Sequence, residues 1–450
     1  MKKFSKVKRY IPKLVLEWIQ KTDFKNKDHL VIICDMITRI SVYRGIKKND
    51  WGESDYSNSY TDIPGSYFTN IISNKISFKE SMEFLKQNQI VLCDGIYSKI
   101  SGKSLGYKFD DKWISKLESW IIQKDLISKK IANNKNERGD NTPEWLINNK
   151  KHFIKNFKID YDNSKNWLES QYLEKSRKLE PSDKSGHLEL VMWYNCHLIN
   201  INSINDGDLF FRRNDTNNRI DTNLTNLRSE LRQFIKYPSK LVQIDICNSQ
   251  PFFLSCILKN GLGSWRPNPT SKQSRSVDTV RKNQLFSLLH SWTLSLCSTF
   301  LNEKTLKSFI DVVCRGFLYD QIISVYKREK NINLTRKQAK IIMFRILYSK
   351  PESFRNERKM LNMVIPDVLK VVDGMKVRNY KDVAIVLQVL ESSFCIDTII
   401  PLFEINSIKC YTIHDSWIIE SDNLESAKKI IENEFISSFG IKPELSISNI

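Results

Sequence analysis

The chain has 450 residues and a formal net charge of +19, from 70 Lys and Arg against 51 Asp and Glu. That length is enough for two or three domains with a substantial core, and the positive excess favours a polyanionic partner, of which nucleic acid is the commonest. Nine cysteines without a C-x-x-C pair, and six scattered histidines, argue against a disulfide framework, a zinc ribbon or another structural metal site.

The N-terminus, MKKFSKVKRYIPK, is basic but carries no apolar h-region, and no run of about eighteen apolar residues follows it anywhere. A soluble, intracellular (cytoplasmic) chain with no membrane span is therefore expected. Residues 1–113 read as a small domain with helices at about 11–20 and 28–44. Ser77 and Glu80 fit a capping box for a further helix. QIVLCDGIYSKISGKSLGYKF then alternates as strands around an Asp94-Gly95 turn and a basic tip. Helix, strand, turn, strand and basic loop resemble a winged helix-turn-helix, which would put Lys99, Lys103 and Lys108 close to a phosphate backbone. A generic α/β domain with a solvated lysine hairpin reads equally well from the same residues. Residues 114–185 are charged and helix-prone, interrupted at 133–143, and suit either a connector or a thumb-like grip on duplex.

At His187 the pattern changes. A strongly apolar helix begins there, and DLFFRRNDTNNRIDTNL follows as a hairpin with Asn-rich turn chemistry. Arg212, Arg213, Arg219 and Arg228 supply positive charge, and LRSELRQFI reads as a helix. These arginines are candidates for nucleic-acid binding or for a solvated face. LVQIDICNSQPFF reads as a buried strand, Leu241–Cys247, running into a helix with Pro251 near its start. Period 2 sets Gln243, Asp245 and Cys247 on one face. An aspartate in so apolar a strand needs a partner, and a divalent metal or a salt bridge would each serve.

Residues 262–276 are rich in Gly, Pro and Ser and read as a loop, followed by helices at about 283–300 and 304–327. In TRKQAKIIMFRILY, Thr335 and Gln338 form a capping box, so a helix starts at Arg336. Arg336, Lys337 and Lys340 sit at the end where the helix dipole is already positive, a conflict that an arriving phosphate would resolve. Arg336, Lys340, Phe344 and Tyr348 are four apart and form one stripe, roughly 18 Å long at helical rise. A buried amphipathic helix with a solvated basic end fits the same residues. Residues 387–403 read as a long helix on which Gln388 and Glu391 are candidate site residues. IKCYTIHDSWIIES is a hairpin with His414-Asp415 at its tip, and a helix ending near Gly440 closes the chain.

The spacing R-x3-K-x3-F-x3-Y resembles the fingers helix of family A DNA polymerases and of single-subunit RNA polymerases. The strand with Asp245, followed by Gln250, resembles motif A of the same enzymes, and His414-Asp415-Ser416 resembles motif C. The resemblance covers about 186–450 and implies an α+β, mainly helical fold: a right-hand palm with an antiparallel sheet and helical fingers. It implies that Asp245 and Asp415 hold two Mg²⁺ ions (Mn²⁺ being possible), with Lys340 acting at the leaving pyrophosphate. Arg336, Lys340, Phe344, Tyr348, Gln250 and His414 would then meet the nucleotide. Primer–template DNA and nucleoside triphosphates are the implied partners, and a replication or mobile-element setting would add partner proteins. Three departures matter. Ser349 stands where the family has Gly, Gln250 where DNA polymerases have Glu and RNA polymerases Gly, and Ser416 is the RNA-polymerase form of motif C. DNA synthesis is the favoured expectation. RNA or primer synthesis, template-independent transfer and a non-catalytic DNA-binding replication initiator are the alternatives.

Overall fold

The computed structural model describes residues 7–46, 56–72, 74–137, 142–260 and 293–450. The expected loop at 262–276 and the start of the helix expected at 283–300 lie outside them. The described chain is mainly helical with small antiparallel sheets, an α+β fold. It forms two compact units: Met1–Asp140 with Lys158–Leu209 and Asn226–Phe234, and Asn141–Phe157 with Phe210–Thr225 and Ile235–Ile450. The polypeptide thus passes back and forth between units, where the sequence suggested single cuts near 113 and 185.

In the first unit the helix Lys27–Ile46 buries Leu30, Val31, Ile32, Ile33, Cys34 and Ile37 in the core with Leu16, Ile19, Phe68, Leu85 and Phe109. The helix Lys75–Gln87 is capped by Asn74, whose side chain accepts from the Ile76 and Ser77 amides. The expected cap at Ser77 is therefore a turn too late: Asn is as good a cap as Ser, and it comes first. The strands Val91–Cys93 and Gly106–Phe109 pair antiparallel, with Thr61–Asp62 on the other side of the latter. No tight turn forms at Asp94-Gly95. The Asp94 carboxylate instead accepts from the Ile96 and Gly106 amides and gathers a longer loop, in which only Ser98 and Lys103 bridge.

The second unit is built on a four-stranded antiparallel sheet in the order Cys410–Ile413, Ser416–Glu420, Leu241–Ile246, Leu445–Asn449. Phe252, Phe253, Phe394, Phe435 and Phe439 pack together as its core, with ring centroids 4.1 Å apart for the stacked Phe394–Phe435 pair. The expected helix at 304–327 is two helices, Glu303–Cys314 and Leu318–Lys330, because Gly316 adopts a φ of +75° that ends the first. LRSELRQFI forms only a 3₁₀ turn, Ser229–Phe234. Lys381–Ile405 is by length and composition apolar enough to cross a bilayer, but 72% of its most apolar window is buried and it serves as a core helix. A π-turn, Ser393–Thr398, interrupts it, a distortion that recurs at functional sites.

Candidate active site

Asp245 lies near the end of the central strand Leu241–Ile246, opposite Ser416 on one side and Ser446 on the other. The neighbouring hairpin turns through His414 and Asp415, with His414 at a φ of +53°, a left-handed conformation that a non-glycine residue holds only under local constraint. The Ile246 amide donates to the Asp415 carbonyl at 3.3 Å, which brings the two aspartates onto adjoining strand ends. Burial pushes the Asp415 carboxyl up to about 8, and repulsion from Glu391 and then Asp245 adds to it, while Lys340 and Arg219 pull the other way. Three acids and two cations therefore share one field. Among the described residues no group of three or more His, Cys, Asp or Glu forms a ready-made metal cage. An Asp pair suits Mg²⁺, which is ordinarily held by one or two carboxylates with substrate phosphates and water completing the shell.

The helix Arg336–Tyr348 opens with the expected capping box: the Thr335 side chain takes the Gln338 amide, and Gln338 returns to the Thr335 amide. Ala339, Ile342, Met343, Ile346 and Leu347 form its buried face, so the stripe Arg336, Lys340, Phe344 and Tyr348 falls on the less buried one. Phe344 and Tyr348 stack at 5.5 Å, and the Lys340 amine stands 5.5 Å from the Phe344 ring. The excess positive charge at the helix start is partly answered from within. Arg336 donates to Asp320 (2.6 Å) and to the Gly316 carbonyl (2.7 Å), and lies over Tyr319. Neither Asp320 nor Tyr319 carried a sequence signal, because both act through the break at Gly316. Tyr319 is buried beneath the cluster, its hydroxyl pushed up by burial and then by the charge of Asp415.

The other end of this helix is closed by a buried amine. Lys376, 3% exposed, donates to the Ile346 carbonyl at 2.6 Å and the Ser349 carbonyl at 2.9 Å, where a cation offsets the negative end of the helix. Burial, with Arg358 adding to it, lowers its pKa to about 8 against 10.5 for a free lysine. A lowered folded pKa means that the unfolded chain binds more protons between those values, so this group makes stability rise as pH goes from about 8 to 10.5. We expect the difference in melting temperature between wild type and Lys376→Met to grow in favour of wild type from pH 8 to pH 10. A pH-independent difference in paired thermal melts would contradict it.

A polar cluster joins the remaining elements. Glu391, 1% exposed, pairs with Arg219 through one carboxylate oxygen, and its other oxygen accepts from Ser249 at 2.6 Å and from Gln250. Burial opposes its charge, but Arg219, Ser249 and Gln250 together hold its pKa below the usual range. The Tyr348 hydroxyl donates to Gln250 Oε1 at 2.8 Å. Asp245, Asp415, Lys340, Gln250, Tyr348 and Glu391 thus form one neighbourhood in the second unit.

Several other candidates have different places. Arg213 is 5% exposed; its Nη2 donates to Asp397 at 2.8 Å and its Nη1 lies 2.6 Å from the other carboxylate oxygen as an ion pair, with Trp145 against the guanidinium. It is a core cation and cannot reach a phosphate backbone; its neighbour Arg212 is exposed, as strand alternation requires. Arg219 is committed to Glu391 and is not a solvated cation. Arg228 lies in the first unit, pairs with Glu230 at 2.6 Å and covers Trp193. Lys103 is 3.4 Å from Asp94. Ser416 is 1% exposed, donates to the Ile413 carbonyl at 3.0 Å and accepts from Gln243 at 3.1 Å. Its hydroxyl braces the hairpin, so its identity says little about the sugar of the product.

No family model matches the chain, and no curated protein matches it. Among solved structures it is similar to the POL domain of Pol1 from M. smegmatis in complex with DNA primer-template and dNTP, at 11% identity and a TM-score of 0.33, over 72% of each chain. A likeness of that strength carries no conclusion about fold or function.

Proposed function

We propose that the chain is a template-directed nucleic-acid polymerase, a DNA-directed DNA polymerase by preference, that extends a primer 3′-hydroxyl. The observation that carries this is the placing of Asp245 and Asp415 on adjoining strand ends, within the electrostatic reach of Lys340 from a basic-ended helix. Nucleotidyl transfer needs charge neutralised at both the attacking and the leaving oxygen. Asp245 and Asp415 would hold Mg²⁺, which when bound supplies that neutralisation at the reacting phosphate. Arg336 and Lys340 bind the triphosphate at the open end of their helix, and Lys340 donates a proton to the departing pyrophosphate. Phe344 and Tyr348 pack against the sugar and the new base pair. Gln250, bonded to Tyr348, fills the space beside the sugar, and this favours deoxynucleotides. His414, at the hairpin tip, would meet the nucleotide. The winged-helix-like N-terminal region would hold template through Lys103, and Arg212, exposed in the second unit, would contact nucleic acid, in a soluble, cytoplasmic protein.

The test is extension of a labelled primer–template with Mg²⁺, dNTPs being compared with NTPs. Template-coded extension with dNTPs is the expected result, and Lys340→Ala should lower kcat by roughly 10²-fold, the usual weight of a positioned proton donor. Extension with NTPs alone would make it an RNA or primer synthase. Homopolymer growth without template would make it a terminal transferase. Incorporation of neither substrate under Mg²⁺ or Mn²⁺ would reject catalysis in favour of a DNA-binding replication initiator.

A further inference from the structure

We infer that Glu391 is a positioning residue for sugar selection: it fixes the Gln250 amide and, through it, Tyr348 as one rigid unit beside the nucleotide sugar, an assignment that rests on the polymerase reading above. A carboxylate can only accept, so the Gln250 Nε2 that meets Glu391 must be the donor. The opposite end of the same amide, Oε1, is then turned to the Tyr348 hydroxyl at 2.8 Å. Neither end can flip without leaving a donor facing a donor or an acceptor facing an acceptor. Glu391 is itself held on both oxygens, by Arg219 on one and by Ser249 on the other.

Gln388, three residues before Glu391, accepts from Asn217 at 3.1 Å through Oε1, and Asn217 Oδ1 takes the Arg219 amide at 3.1 Å. Asn217 lies two residues before Arg219 in the same hairpin turn. The bonds run as one connected chain, from Asn217 and Arg219 in the hairpin turn through Glu391 and Gln250 to Tyr348. In a connected network, loosening one member weakens the hold on the next. The network also suits a single carboxylate, because it contains one guanidinium. A long acceptor at position 250 is thus compatible with Glu391 only as an amide.

The experiment measures the ratio of kcat/KM for a dNTP to that for the matching NTP in wild type, Glu391→Gln, Gln250→Glu and the exchange Gln250→Glu/Glu391→Gln. Glu391→Gln should change the ratio by about tenfold toward NTP, since an amide can present either end to Gln250. Gln250→Glu should do worse, with two carboxylates facing each other. The exchange, which again has one carboxylate and one amide, should return the ratio to within about threefold of wild type. A merely structural Glu391 would depress both substrates alike and leave the ratio fixed. An unmoved ratio in Glu391→Gln, or an exchange variant no better than Gln250→Glu, overturns the inference while leaving the polymerase standing. Should Gln250→Glu fail to fold, rescue of folding without recovery of the ratio by the exchange also counts against it. A wild type that incorporates neither substrate removes the polymerase reading, and this inference with it.

Discussion

Asp415→Ala and Asp245→Ala are each expected to reduce incorporation on the order of 10⁴-fold, about 5–6 kcal/mol of transition-state stabilisation. Each variant should nevertheless remain folded. Asp415 sits in a burial environment that opposes its charge, and repulsion from Glu391 and then Asp245 adds to it. Loss of its carboxylate relieves repulsion in the metal-free protein. Asp415→Asn, which keeps the size of the side chain, should therefore melt about 2–4 °C above wild type at pH 8 in chelator. This is the opposite of what a carboxylate retained for structure would do. Primer extension and a thermal melt on the same preparation separate the two. Wild-type rates in Asp415→Ala, or a clear fall in the melting temperature of Asp415→Asn, would remove the two acids from the centre of the chemistry.

What the sequence disclosed about this site was carried by short-range patterns. The capping box at Thr335 and Gln338 fixes where the helix begins, and four-residue spacing then fixes which side chains share its open face. Strand alternation placed Asp245 opposite the fully buried Ile244 and Ile246, and the β-rich arms about His414-Asp415 marked the hairpin. What it did not disclose are the pairings between distant segments. Arg219 with Glu391, Arg336 with Asp320 and Lys376 with the end of the helix Arg336–Tyr348 join residues with no local relation. Charge alone made Arg219 look solvated, because a buried guanidinium and an exposed one are spelled the same way. Gly316 was legible only as a glycine. Its positive φ, which splits one expected helix into two, also frees the carbonyl that Arg336 uses. At Ser77 the error was of another kind: two residues could cap, and the earlier one did.

Arg212 and Arg213 give the second large effect, and they give it in opposite directions. Adjacent residues on the strand Phe211–Arg213 face opposite ways, so one guanidinium is in solvent and the other in the core. Burial raises the Asp397 pKa even though Arg213 opposes it. Desolvation is therefore the stronger influence on that carboxyl, and its partner is what makes the site tolerable. Arg213→Met would leave Asp397 without its buried cation, at an expected cost of about 3–5 kcal/mol. Removing both charges, as Arg213→Met/Asp397→Leu, should recover most of that loss, since well-packed apolar residues often replace a buried ion pair at little cost. Arg212→Met should change stability by less than about 0.5 kcal/mol. If Arg212 lies along a nucleic acid, that same change should weaken DNA binding across sequences and lower the salt dependence by about one counterion. Urea unfolding of the four proteins decides the first point and binding at several salt concentrations the second. A stable Arg213→Met with weakened DNA binding would reverse the assignment and return Arg213 to the surface.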